Sequence, residues 1–300
     1  MARAIVAAGC WFALLNLFGS APVSADGLLS SARSEVRDSS SSSPKSASSP
    51  GSHSDEDDDG DSFFGSLLTS LFSSDCECDH HQASSFTGGA VFTVLASPWL
   101  IPRSILEDKD EVLTMADFPY AENWDGYFVN QVPQPEWAKP WSGRFLAESG
   151  TNFDGLQKHG GRLRLDTSSR WGLDTEWNFR RETLSSVHDT LWNGDANLVY
   201  RFAQSRRAAF YTGLGVNWLS DRFGGNAGFN FTYGADFYPA DPWVISGVID
   251  WGTLGHATMF HGRATVGMML NRLEVFTGYD YLKLGGTSLP SFVAGVQLHF

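Results

Sequence analysis

Residues 292–300 read FVAGVQLHF. Phe292, Ala294, Val296, Leu298 and Phe300 fall on one side of an extended segment, while Ser291, Gly295, Gln297 and His299 fall on the other with Val293. A period of two is the mark of a strand with one apolar face. Chain ends usually fray into water, so this stretch raises the question of what its apolar face touches.

Working outward, the same alternation returns. In RWGLDTEWNFR, Trp171, Leu173, Thr175, Trp177 and Phe179 oppose Gly172, Asp174, Glu176, Asn178 and Arg180. Ala196, Leu198, Tyr200 and Phe202 oppose Asp195, Asn197 and Arg201. Phe229, Phe231, Tyr233, Ala235 and Phe237 oppose Gly228, Asn230, Thr232, Gly234 and Asp236, and further on Val275, Thr277 and Tyr279 oppose Glu274, Gly278 and Asp280. Ten such segments run near 141–150, 160–168, 170–181, 191–203, 207–219, 224–238, 242–252, 257–270, 272–283 and 290–300. Each is about as long as the roughly 9–11 residues that a tilted strand needs to cross a bilayer, or somewhat longer. The expected fold is all-β: a closed antiparallel up-and-down transmembrane barrel of about ten strands over 141–300. Eight is the alternative, because 141–150 is the least regular segment.

The connections alternate as well. LGGTSLP, WGTLGHA, LSDRFGG, RETLSSVHD and TNFDGLQKHG are the longer ones, whereas NR, YPADP, AQSRR and TSSR are tight. Long loops outside and short turns inside fit an even-stranded barrel with both strand termini in the periplasm.

The front of the chain has a different texture. Arg3, the apolar run Ala4–Phe18 and the small residues Val23 and Ala25 predict a secretory signal over 1–25. Residues 26–62, Ser-rich and then acidic (DEDDDGD at 55–61), offer little to bury and predict a disordered arm. Residues 63–140 predict a short amphipathic helix at FFGSLLTSLF (63–72) and an irregular periplasmic lead-in. After the signal, no stretch reaches the roughly 18 apolar residues of a membrane-spanning helix.

The formal net charge of −13 divides unevenly: residues 26–140 carry 20 acidic against 6 basic residues, and residues 141–300 carry 14 of each. No basic face is available for phosphates, so nucleic acid is excluded as a partner. The acidic arm could instead contact periplasmic or cell-wall components.

The polar face of the strands tells lipid from water. A soluble barrel would turn its polar face outward and carry many Lys and Glu, yet residues 141–300 hold only Lys158 and Lys283. Gly, Asn, Asp, Thr and Arg suit a narrow lumen instead. Trp171, Trp177, Trp192, Trp218, Trp243 and Trp251 lie mostly near strand ends, where an amphipathic ring sits well at the headgroup boundary. Closure is then required, since an open edge in hydrocarbon leaves backbone groups unpaired.

On these residues the last strand, SFVAGVQLHF with Phe300 final, resembles the carboxy-terminal signature of bacterial outer-membrane β-barrel proteins. The resemblance covers about the last 160 residues. It implies an outer-membrane location, outer-membrane lipid and the barrel-assembly machinery as partners, and Phe300 as an assembly signal. It implies no activity.

The inward charges predicted to line the lumen are Asp174, Glu176, Arg180, Asp195, Arg201, Asp236, Asp250, Arg263, Glu274 and Asp280, with His261 and His299 beside them. Isolated charges in so narrow a space would be costly. The first reading is therefore a filled, salt-bridged lumen in a structural or interaction barrel. A narrow diffusion channel comes second, helped by the inward glycines. A surface hydrolase similar to the omptin type comes third, using His188, Asp189 and Asp221 in expected outer loops, with Ser185 or Ser186 as a nucleophile.

No catalytic residue, metal or cofactor is assigned. The acidic run matches half of a calcium loop, but Ser66 stands where a bidentate Glu is needed. Cys76, Cys78, Asp79, His80 and His81 crowd too closely for an ordinary structural zinc site.

Overall fold

Twelve strands and two helices account for most of the regular structure in a computed structural model that describes residues 27–37, 96–108, 112–184 and 188–300. The strands are β1 (Thr114–Met115), β2 (Phe128–Val129), β3 (Trp141–Thr151), β4 (Leu156–Thr167), β5 (Trp171–Thr183), β6 (His188–Ser205), β7 (Ala208–Asp221), β8 (Gly224–Ala240), β9 (Trp243–Leu254), β10 (Ala257–Leu270), β11 (Leu273–Leu284) and β12 (Thr287–His299). The helices are α1 (Leu28–Arg37) and α2, residues 96–105.

Strands β3 to β12 form a closed barrel in which each pairs antiparallel with its neighbour in sequence, and β12 pairs back onto β3. The count is ten, and the least regular segment is a full staves-length strand. At the seam Gly143 and Phe300 exchange backbone hydrogen bonds of 2.8 and 2.9 Å. A Cβ on Gly143 would stand 2.3 Å from the Phe300 ring, so glycine is what lets that ring lie against the wall. Register shifts interrupt the ladder at Arg201/Ala203 in β6 and at Phe237/Ala240 in β8.

The mouth at which β3 starts and β12 ends is called near, the opposite one far. Near turns are as short as expected: Arg206 and Arg207, Asp241 and Pro242, or Asn271 and Arg272. Three far connections correct the expectation of longer loops. Arg222 and Phe223, Gly255 and His256, and Gly285 and Gly286 are two-residue links. The strands run on through sequence that composition alone marks as loop, because ladder bonds to both neighbours outweigh local turn preference.

Period-two parity separates the two faces. Outward side chains near the near rim include Trp141, Trp171, Trp243 and Phe237, and toward the far rim Phe153, Trp192, Trp251 and Phe292; each is well exposed. Between them stand exposed aliphatics such as Leu173, Leu198, Leu214, Val216, Ile245, Ile249 and Val266. An aliphatic band flanked by aromatic rings is a surface matched to hydrocarbon bounded by headgroups.

The arm expected to be disordered from residue 26 is corrected in part, because residues 28–37 form α1. Leu29, Ala32, Arg33 and Val36 share its buried face, a stripe at helical spacing within a serine-rich stretch. The expected helix at 63–72, the acidic run and the Cys76–His81 cluster lie outside the described residues.

Helix α2 runs along the outer wall. Trp99 meets Phe231 and Tyr233 edge-on, at 6.4 and 6.3 Å between centroids, and the Tyr233 hydroxyl donates to the Pro98 carbonyl at 2.8 Å. Beyond the helix, Asp108 receives both Arg170 terminal nitrogens at 2.7 Å and the Gln204 N–H at 2.9 Å, which ties it to the near rim.

Candidate functional site

Every second residue of each stave points inward, so the lumen is lined by whatever the polar phase of the sequence supplies. Halfway down, Lys158 is fully buried and its ammonium lies 2.5 Å from Asp280, 3.0 Å from Glu148 and 3.7 Å from Glu176. Arg180 joins Asp280 at 3.1 Å. His261 places one ring nitrogen 2.8 Å from Asp250 and the other 2.8 Å from Asp280, so its ring bridges two carboxylates. Arg263 closes the tier by donating to Glu148 at 2.6 Å.

A second tier lies toward the near mouth. Arg144 donates to Asp236 at 2.9 Å, and Arg164 to Asp166 at 2.9 Å. Arg162 binds Asp174 through two nitrogens, at 2.7 and 2.5 Å. Arg201 approaches Asp166 at 3.2 Å. The Arg164 guanidinium lies 3.5 Å over the Tyr211 ring, and Gly234 makes room for that ring, since a Cβ there would stand 2.3 Å from it. Between the tiers is a cavity of about 30 Å3, lined in part by Arg144, Arg164, Arg263 and Asp236. That is room for about two waters at roughly 10–15 Å3 each.

Both mouths are occupied. At the far one, α1 lies across the opening with Leu29, Ala32 and Val36 set among Leu156, Leu191, Leu219, Leu254, Met259, Leu282 and Leu289. Glu182 receives the N–H groups of Leu28 and Leu29 at 2.8 and 2.9 Å, a carboxylate at the positive end of a helix. Arg33 donates to Asp189 at 2.9 Å and also to Asp221. Together these two carboxylates hold its guanidinium pKa above the usual value, although burial pulls the other way. Arg37 donates to Asp221 at 2.6 Å.

At the near mouth, residues 112–140 fold back over the opening. Met115 exchanges 2.8 Å backbone bonds with Lys139. Met115, Tyr127 and Phe128 pack with Tyr238, Val244 and Met269 of the staves. Arg201 lies 5.1 Å over the Phe128 ring, and Tyr127 lies 6.2 Å from the His299 ring.

Of the residues expected to line the lumen, Asp174, Glu176, Arg180, Arg201, Asp236, Asp250, Arg263, Glu274 and Asp280 are buried, and Asp195 is half-buried. Asp195 receives the Asn197 amide at 2.9 Å, and Glu274 the Gln297 amide at 2.9 Å. The period-two reading did not include Arg144, Glu148, Lys158, Arg162, Arg164 and Asp166; for the last three, alternation with Leu163 and Leu165 was the available signal. Asp189 and Asp221 are drawn together, but by Arg33. Ser185 and Ser186 lie outside the described residues.

Glu176, His261 and Asp280 offer ligand atoms within 4.8 Å of one another. The Lys158 ammonium already pairs with the two carboxylates, at 3.7 Å from Glu176 and 2.5 Å from Asp280.

Ten closed staves, charges turned inward and an aromatic-bounded apolar band turned outward decide the class. The chain is a β-barrel of the outer-membrane type. No family model matches this barrel, and no curated protein matches it. Among solved structures it is similar to the Yersinia pestis outer membrane protein Ail in a phospholipid bilayer nanodisc, with 14% identity over 54% of this chain and 100% of that one and a TM-score of 0.33. It is also similar to the KdgM porin, at 12% identity over 53% and 99% with a TM-score of 0.27, and to Neisserial surface protein A, at 11% over 53% and 96% with a TM-score of 0.25. The assignment rests on closure, parity and the outward band, and these likenesses add nothing to it.

Proposed function

We propose that this protein is a non-conducting outer-membrane barrel with a structural or interaction role, exported by its N-terminal signal and inserted by the barrel-assembly machinery through its Phe300 end. The observation that carries this reading is the double closure around the ion pairs: α1 fills the leucine ring at the far mouth, and Tyr127 and Phe128 fill the near one. A pathway for solute would have to part the Lys158–Asp280 and Arg144–Asp236 contacts. Buried pairs of this kind resist parting, since each separated charge is left desolvated. A non-enzymatic role is supported by the engagement of both Asp189 and Asp221 with Arg33.

Planar-bilayer recording of the full chain tests the reading. Silent membranes into which the folded barrel has demonstrably inserted are expected. Stable single-channel steps that change size on Asp236→Asn or Arg263→Gln would replace the sealed barrel by the second reading, a narrow diffusion channel.

A further inference from the structure

The far mouth meets α1 as a receptor meets a ligand. Its floor is the leucine ring, into which Leu29, Ala32 and Val36 set one apolar stripe at helical spacing. Around it stand three carboxylates on three staves: Glu182 on β5, Asp189 on β6 and Asp221 on β7. Arg33 spans the last two, donating to Asp189 at 2.9 and 3.0 Å and also to Asp221. Arg37 adds a second cation on Asp221 at 2.6 Å. Phe223, in the β7–β8 turn, lies 5.1 and 5.9 Å from these two guanidiniums, and an aromatic face attracts such cations.

The barrel also serves both ends of the helix, whose first N–H groups and last carbonyls have no partner within it. Glu182 takes the N–H groups of Leu28 and Leu29. The His256 N–H, in the β9–β10 turn, donates to the Val36 carbonyl at 2.9 Å. Gly255 beside it, at φ +58°, has no Cβ to strike that carbonyl. A carboxylate at one end and an N–H at the other fix the direction in which a helix lies here. Left to itself the segment is a poor helix: its ten residues fall short of the roughly 12–15 that hold a helix in water, and Ser30, Ser31 and Ser34 compete for its backbone. Its helical form therefore depends on the cup. All of these contacts are made by residues 28–37, so recognition needs the helix and not its connection to the barrel.

Resting on the interaction role proposed above, we propose that the far mouth is a receptor for a short cationic amphipathic helix, filled in cis by α1 and open to a partner protein's helix of the same pattern once α1 withdraws. The pattern is an apolar residue at i, i+3 and i+7 with arginine at i+4 and i+8, as in Leu29, Ala32, Val36, Arg33 and Arg37. A helix with an acid at i+4 sets like charges against Asp189 and Asp221 and is refused.

Titration calorimetry in detergent tests it on the full chain, with Cys10, Cys76 and Cys78 replaced by serine and a spin label on Ser34→Cys, on the exposed side of α1. Leu29→Ala with Arg33→Glu withdraws α1, read as a mobile label. Both changes lie outside the staves, and heat-resistant gel mobility reports the closed barrel; Arg33→Glu alone serves if the pair prevents closure. The end-capped peptide of residues 27–37, GLLSSARSEVR, is expected to bind this variant one to one and the unaltered chain more weakly. The peptide carrying Arg33→Glu, and one of reversed sequence, should each bind at least about tenfold more weakly, the worth of one charge-assisted hydrogen bond. Equal binding of the three peptides, or none to the emptied mouth, would overturn the receptor. So would a label that stays fixed, since an exchangeable helix must yield when its anchor and charge are lost. Bilayer conductance from a chain that still binds the peptide would remove the sealed barrel and leave the receptor standing.

Discussion

Lys158 has 0% of its side chain exposed and faces three carboxylates. Replacing it by Met removes the one ammonium that neutralises Glu148, Glu176 and Asp280 together. Unpairing buried charges costs about 3–5 kcal/mol, so Lys158→Met is expected to lower the urea midpoint of the refolded barrel by that equivalent. A change within error would show that water reaches the tier. Tyr120 behaves differently, because it belongs to the near closure and not to a stave. Burial, with the charges of Asp241 and Asp125 added, raises its hydroxyl from 10.0 to about 12, and its O–H donates to the Trp243 carbonyl at 2.6 Å. A raised acid is favoured neutral, so its contribution is complete below pH 10 and is lost as pH rises through about 12. The near closure is expected to become protease-sensitive in that window, and Tyr120→Phe should keep it resistant to higher pH.

Among the elements, α1 covers the far mouth and the β12–β3 seam closes the wall. Leu29 is fully buried in the leucine ring, and truncating such a side chain costs roughly 2–5 kcal/mol. Leu29→Ala is therefore expected to free α1 without unfolding the staves, seen as a mobile spin label at Ser34 while heat-resistant gel mobility persists. At the seam, the Phe300 ring lies 6.5 Å from Trp141, but the backbone pairing to Gly143 needs no ring. Phe300→Ala should lower the yield of assembled barrel in cells while leaving refolding in detergent unchanged. Stave boundaries were largely legible because period-two alternation survives wherever one phase is apolar, as from Trp171 to Arg180. The far turns were not, since Ser, Gly and Asp read as loop in LSDRFGG although five of those seven residues belong to β7 or β8. Helix α1 was hidden for another reason: its buried apolar stripe has only three members, Leu29, Ala32 and Val36, and the ring that buries them is assembled from seven distant staves.

For the molecule as a whole, inversion of the usual arrangement ties these parts together, with charge inside and apolar side chains outside. The acidic front and the neutral barrel half, 14 residues of each sign, anticipated a balanced interior. Parity then placed Asp174, Asp236 and Asp280 in it, while the partners Lys158 and Arg144 became visible only when closure brought β3 and β4 opposite β8 and β11. All of this presumes hydrocarbon around the staves. Fluorescence of the native tryptophans in liposomes carrying brominated acyl chains measures that directly. Strong quenching by the lipid bromines, with little by aqueous iodide, is predicted, because Trp171, Trp192, Trp243 and Trp251 are about half exposed on the outer wall. A chain that stays in solution without detergent, its tryptophans indifferent to brominated lipid, would contradict the account.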